Sequence, residues 1–214
     1  MPRLLCFGDS NTYGTQPMPA FDANLPRIER RWPVVCAQTL DWDLTEEGLP
    51  GRTTARPCPI MGPHMDGRIG LFIALESHGP IDALAIMLGT NDFKAHFDAS
   101  ADDIASDIGF LLDVALSEDV QERHGGFEPF LIAPPAPFEA GIMADEFAGA
   151  TQKARDIAAL YAAEAEKRDV GFFDAGSVIR CSDVDGIHFD AAAHDVLGRA
   201  VADFIQSEMQ RATP

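Results

Sequence analysis

Apolar positions along the chain fall into short blocks that switch between two periods. Residues 3–7 form a strand-sized apolar run, and residues 81–88 (IDALAIML) form a longer one. Continuous apolar runs of this length fit strands buried on both faces of a parallel sheet. Residues 43–47, 130–133 and 171–174 are shorter strand candidates. Between them the pattern becomes helical, over 31–40, 67–77, 100–116, 146–167 and 191–209. Within 67–77, Ile69, Phe72 and Ile73 recur at the spacing of an amphipathic helix. Within 100–116, Ile104, Ile108, Leu111, Leu112 and Ala115 share one face. Ser100 followed by Asp103 is an acidic form of the capping box. Strand and helix alternate five times. That order predicts an α/β protein, a three-layer α/β/α sandwich around a five-stranded parallel sheet, flavodoxin-like in its layering. No repeat, low-complexity tract or linker interrupts the alternation, so one domain over 1–214 is expected.

In such sheets the ligand crevice lies beyond the carboxyl ends of the strands. The residues that follow each strand are therefore the informative ones. Ser10, in Gly8-Asp9-Ser10-Asn11-Thr12, leaves the first strand at the start of a turn or helix. A serine there fits a helix cap as well as a nucleophile beside oxyanion-binding N–H groups. It does not sit in a G-x-S-x-G elbow. Gly48 and Gly51 follow the second strand, where a residue without a Cβ lets backbone approach a ligand closely. Asn91, in Gly89-Thr90-Asn91-Asp92, can cap a turn or aim an amide into the crevice. His188 precedes the last helix with Asp185 three residues earlier, a spacing in which a carboxylate can orient an imidazole base. A metal site from His188 and His194 is poorly shaped, because six helical residues turn the two rings about 240° apart.

Charge narrows the partners. Asp and Glu total 34 against 16 Lys and Arg, a formal charge of -18. Nucleic acid needs a basic face, so it is excluded as an expected partner, and anionic substrates are repelled at long range. No apolar stretch approaches the roughly 18 residues of a membrane span. The apolar run at the start is too short for a signal peptide. Cys6, Cys36, Cys58 and Cys181 form no C-x-x-C pair, which fits free thiols in a reducing cytoplasm.

Taken together, in this order and at these strand ends, the blocks resemble those of the SGNH (GDSL-type) hydrolases. Gly8-Asp9-Ser10, Gly51, Gly89-Thr90-Asn91-Asp92 and Asp185-x-x-His188 match the four blocks across nearly the whole chain. Segments such as Glu46-Glu47-Gly48-Leu49, Arg52-Thr53-Thr54 and Asp185-Gly186-Ile187-His188-Phe189 are similar to the bacterial arylesterase/acyltransferase branch. The resemblance implies the SGNH form of the flavodoxin-like fold. It implies a serine esterase with Ser10 as nucleophile, His188 as base and Asp185 orienting it. It also implies an oxyanion hole of the Ser10 and Gly51 N–H groups and the Asn91 amide, no metal or organic cofactor, and a homo-oligomer. Asn11 departs from the pattern, in which an apolar residue follows the serine.

Two long stretches without strands, 15–30 and 134–145, flank the expected crevice and carry Met18, Phe21, Phe138 and Ile142. Such loops build a binding site or pin themselves to the body of the protein. The first alternative predicts a small, partly closed apolar pocket for acetyl to butyryl esters. Asn11, Trp32, Phe138 and Ile187 are its candidate wall. Two other functions share the same features: a carbohydrate O-deacetylase, and a non-catalytic module holding phosphate at a helix N-terminus.

Overall fold

The computed structural model describes residues 1–212; the last two positions of the expected domain lie outside them. Five parallel strands form one sheet in the order β2-β1-β3-β4-β5. They are β1 (Arg3–Gly8), β2 (Asp43–Gly48), β3 (Ala83–Met87), β4 (Glu128–Ala133) and β5 (Gly171–Asp174). Alternation within β1 sends Leu5 and Phe7 to one face and Leu4 and Cys6 to the other. Leu84 and Ile86 in β3, and Leu131 and Ala133 in β4, join the first face. Phe130 and Ile132 join the second. Both faces are dry along β1 and β3, so these strands read as unbroken apolar runs.

Helices cover each face and complete three layers. On the first face lie α3 (Gly67–Ser77), α4 (Ala101–Ala115) and α7 (Ile157–Glu166), supplying Leu71, Leu75, Ile108, Leu112, Ile157 and Tyr161. The second face is covered by α2 (Trp32–Leu40) and α8 (Ala191–Ala212), which supply Trp32, Cys36, Leu197, Val201 and Ile205. Ser100 caps α4, and the Asp103 carboxylate accepts the Ser100 N–H in return, which completes the capping box. Among the described residues no helix is long and apolar enough to cross a membrane. Cys6, Cys36, Cys58 and Cys181 are buried free thiols.

Three elements differ from the sequence pattern. The helix expected over 146–167 is broken into α6 (Ala150–Lys153), a 3₁₀ turn at Ala154–Asp156, and α7. It begins late because Gly149 adopts a left-handed conformation (φ +88°) and Glu139 accepts its N–H at 2.7 Å. A short helix, α5 (Glu118–His124), escaped the pattern because only Val120 and His124 turn inward. In α3 the spaced residues Ile69, Phe72 and Ile73 face solvent. Leu71, Ala74 and Leu75 face the core instead. The cause lies at the helix start: a Cβ on Gly67 would sit 2.5 Å from the carbonyl oxygens of Thr53 and Thr54. That close approach sets the rotation of α3, and positions four, seven and eight residues on turn inward with it.

Register decides where the site forms. Gly8 pairs with Gly48 on one side and Met87 on the other. The chain therefore leaves β1, β2 and β3 at one level, and Leu49 donates back to the Gly8 carbonyl at 3.1 Å.

Candidate active site

Beyond β1 the chain turns into a single helical turn, α1 (Ser10–Tyr13), capped by Asp9, whose side chain accepts the Asn11 N–H at 2.9 Å. The cap places Ser10 at the helix start, nearly buried, with its Oγ 3.1 Å from His188 Nε2. On the far side of the ring, His188 Nδ1 lies 2.7 Å from Asp185 Oδ2. In the tautomer protonated on Nδ1, Nε2 is left as acceptor for the serine hydroxyl. Asp185 is immobilised from several directions. Its Oδ1 accepts the N–H groups of Ile187 and His188 at 3.2 and 3.0 Å, and Oδ2 accepts Met18 N–H at 2.7 Å. Burial pushes its pKa up. The bonds from His188 and Met18 outweigh burial and hold the carboxyl below the usual range.

Gly51 and Asn91 stand at the same strand ends. Gly51 is in the left-handed region (φ +89°), and a Cβ there would lie 2.7 Å from the Met61 sulfur, so the position favours glycine. The Asn91 amide donates to Arg52 O at 3.0 Å and reaches Asp9 Oδ2 at 3.4 Å. Arg52 is itself buried beneath the site. It stacks on Phe7 at 4.1 Å and donates to the Gly8 carbonyl at 3.0 Å and to that of Glu47. Burial lowers its pKa to about 10, and Glu47 and Asp9 act against that shift, so it stays charged. Asp9 is lifted by burial to about 6, opposed by the Asn11 N–H and by the charges of His188, Arg52 and Lys94.

Ser10, Gly51, Asn91, Ile187 and His188 line a cavity of about 170 Å³ together with Thr15, Met18, Pro50, Met61, Lys94 and Met143. Lys94 spends its charge on Glu146, 2.8 Å away. Met18, Met61 and Met143 come from three different loops. Met61 lies in the loop between β2 and α3, in the part beyond Gly51 that the sequence pattern does not mark as a pocket wall. Its signal was the run Pro57, Pro59, Gly62 and Pro63, another long proline-rich stretch at a strand end.

Three of the four candidate wall residues do not line this cavity. Asn11 turns inward and donates to Ile187 O at 2.9 Å. Trp32 opens α2 and its ring lies in the core shared with α8, while its backbone N–H donates to His194 Nδ1 at 3.2 Å. Phe138 packs against that same core, its backbone held by Gly186 O. Its loop and the Ile142 side chain are pinned to the body, and only Met143 reaches the cavity. His194 is buried, which lowers its pKa to about 4. Among the described residues no group of three or more His, Cys, Asp or Glu is placed to hold a metal.

A serine, imidazole and carboxylate in line at the carboxyl edge of a five-stranded parallel sheet fit an ester hydrolase of the SGNH fold. The chain belongs to the GDSL-like lipase/acylhydrolase family, whose model matches residues 6–196. It is similar to the native aryl esterase of M. smegmatis, with 38% identity, TM-score 0.88, and 97% of this chain and 99% of that one covered. It is also similar to Est24, a carbohydrate acetylesterase from Sinorhizobium meliloti, at 34% identity and TM-score 0.88, covering 97% and 100%. A putative arylesterase from Agrobacterium tumefaciens str. C58 matches at 35% identity and TM-score 0.83, covering 97% and 99%. Among curated proteins none matches.

Proposed function

We propose that this protein hydrolyses short-chain carboxylic esters through an acyl-Ser10 intermediate. The observation that carries this reading is the line from Asp185 through His188 to Ser10, at 2.7 and 3.1 Å, opening on the small cavity. His188 Nε2 takes the Ser10 proton as Oγ bonds to the ester carbonyl carbon. The carbonyl oxygen gains the negative charge and meets the Ser10 and Gly51 N–H groups and the Asn91 amide. Collapse breaks the bond to the alcohol, which leaves with the proton from His188. Water then gives its proton to His188 and attacks the acyl carbon. The acid is released and Ser10 is restored. An alcohol entering in place of water would yield a new ester.

Size limits the acyl group. At about 170 Å³ the cavity is smaller than the roughly 300–1,000 Å³ of pockets that take drug-sized ligands. Its wall of Met18, Met61, Met143, Pro50 and Ile187 suits acetyl to butyryl groups. The likeness to a carbohydrate acetylesterase keeps acetylated sugars as a second substrate class with the same acyl group.

The test is Ser10→Ala in purified, folded protein against an aryl acetate. Turnover is expected to vanish, while a serine-directed organophosphate labels only the wild type. Wild-type turnover in the variant would overturn the assignment. Asn91→Ala is expected to lower kcat by about 100-fold or more with KM little changed, since a donor to the oxyanion acts in the transition state. Rates for an acetylated sugar against an aryl acetate separate the two substrate classes. Hydrolysis of long-chain esters at rates rivalling acetate would overturn the short-acyl reading.

A further inference from the structure

Under this reading the oxyanion hole draws on two turns that no strand pairing joins. Gly51 follows β2 and Asn91 follows β3, and β1 lies between those strands. Pairing with β1 sets the level at which both strands end, but the turns beyond are held to each other by other contacts. One link is the Asn91 amide on the Arg52 carbonyl. The other is Asp92, directly after Asn91 and fully buried. Its carboxylate accepts the Thr54 N–H at 3.0 and 3.1 Å and the Thr54 hydroxyl at 2.7 Å. Thr54 lies three residues beyond Gly51. The charged group nearest Asp92 is Arg56, whose Nε stands 3.8 Å away and whose Nη2 is committed to Asp107 at 2.6 Å. Tyr161 spends its hydroxyl on the Leu88 carbonyl.

A buried carboxylate with so little compensating charge is an expensive way to hold a loop. What it supplies is three donor–acceptor contacts, with fixed directions, between the two turns. We propose that Asp92 is a positioning residue for the oxyanion hole, clamping the Gly51 turn to the Asn91 turn through Thr54. The proposal rests on the esterase reading above. Asp92 touches no reacting atom. It sets the distance between donors that do, and small misplacements of such donors are costly to rate.

The test uses Asp92→Asn and Thr54→Val, both close in shape to the original residues. Each is assayed on an aryl acetate well below its melting temperature, with active serine counted by complete organophosphate labelling. Losing a whole oxyanion donor typically costs about 100- to 1,000-fold, so loosening the pair is expected to cost about 10- to 100-fold in kcat per labelled serine. KM should stay within about threefold. Thr54→Ser should recover most of what Thr54→Val loses. The double variant should be little worse than the worse single one, because both remove one clamp. A lower melting temperature with wild-type kcat per serine would make Asp92 purely structural and overturn the proposal. A rise in KM alone would overturn it too. A wild type that neither labels nor turns over would remove the esterase reading itself, whereas an active wild type with unaffected variants removes only the clamp.

Discussion

Asn11 is the residue at which the chain leaves its family pattern, and its amide does something other than touch substrate. It bonds the Ile187 carbonyl, one residue before His188, and so ties the nucleophile turn to the loop of the base. Asn11→Ala would leave that buried carbonyl without its donor, at a cost of about 1–3 kcal/mol. A lower melting temperature is expected; an unchanged one would mean that the bond contributes nothing. The order of blocks in the sequence located Ser10, Gly51, Asn91, Asp185 and His188 at strand ends, because residue type and position in the alternation suffice for that. It did not show where Asn11, Trp32 or Phe138 point, because side-chain direction is fixed by turns and packing partners far away in sequence. Asp92 is a second such case. Burial lifts its pKa from 3.8 to about 7, with the Thr54 bonds and Arg56 pulling down and Asp107 pushing up. The folded state thus binds this proton more tightly than the unfolded chain does. Its contribution to stability is fully present below pH 3.8 and is lost as pH rises through about 7. Asp92→Asn abolishes that loss. The melting temperature of the variant relative to wild type should therefore climb between pH 5 and pH 8. A flat difference would show that Asp92 carries no such shift.

At the scale of elements, α3 carries two stripes with the same spacing, and periodicity alone does not choose between them. Ile69, Phe72 and Ile73 repeat as regularly as Leu71, Ala74 and Leu75. The choice is made by Gly67 against the Thr53 and Thr54 carbonyls, a contact between segments that no local pattern records. Phe72 is 56% exposed and Leu75 1%. Phe72→Ser is expected to stay within about 0.5 kcal/mol of wild type, and Leu75→Ala to cost about 2–5 kcal/mol, both measured by denaturant unfolding. The reverse ranking would put the wrong stripe in the core. By contrast, β1 and β3 are legible end to end, since burial on both faces leaves an unbroken apolar run. The edge strand β2 is only partly covered and gives a weak signal for that reason. α5 gives almost none.

For the whole molecule the charge of -18 sets the behaviour in solution. Exposed like charges repel within about 10 Å at 0.1 M salt and are screened beyond that. Raising NaCl from about 0.02 to 0.3 M should therefore raise the melting temperature. It should also raise kcat/KM for an anionic aryl ester relative to a neutral one. No change in that ratio would show that the field at the cavity differs from the net charge. Distance along the chain has a different consequence. Ser10 and His188 are 178 residues apart in sequence and 3.1 Å apart in the fold. One belongs to the turn leaving the first strand, the other to the approach to the last helix. Any partly folded form lacking either the turn after β1 or the loop before α8 has no working relay, however much helix it contains. Catalysis is thus a switch thrown at the end of folding. After dilution from denaturant, ester turnover should return with the last tertiary signal and never ahead of it, so a nascent or damaged chain is silent rather than weakly active.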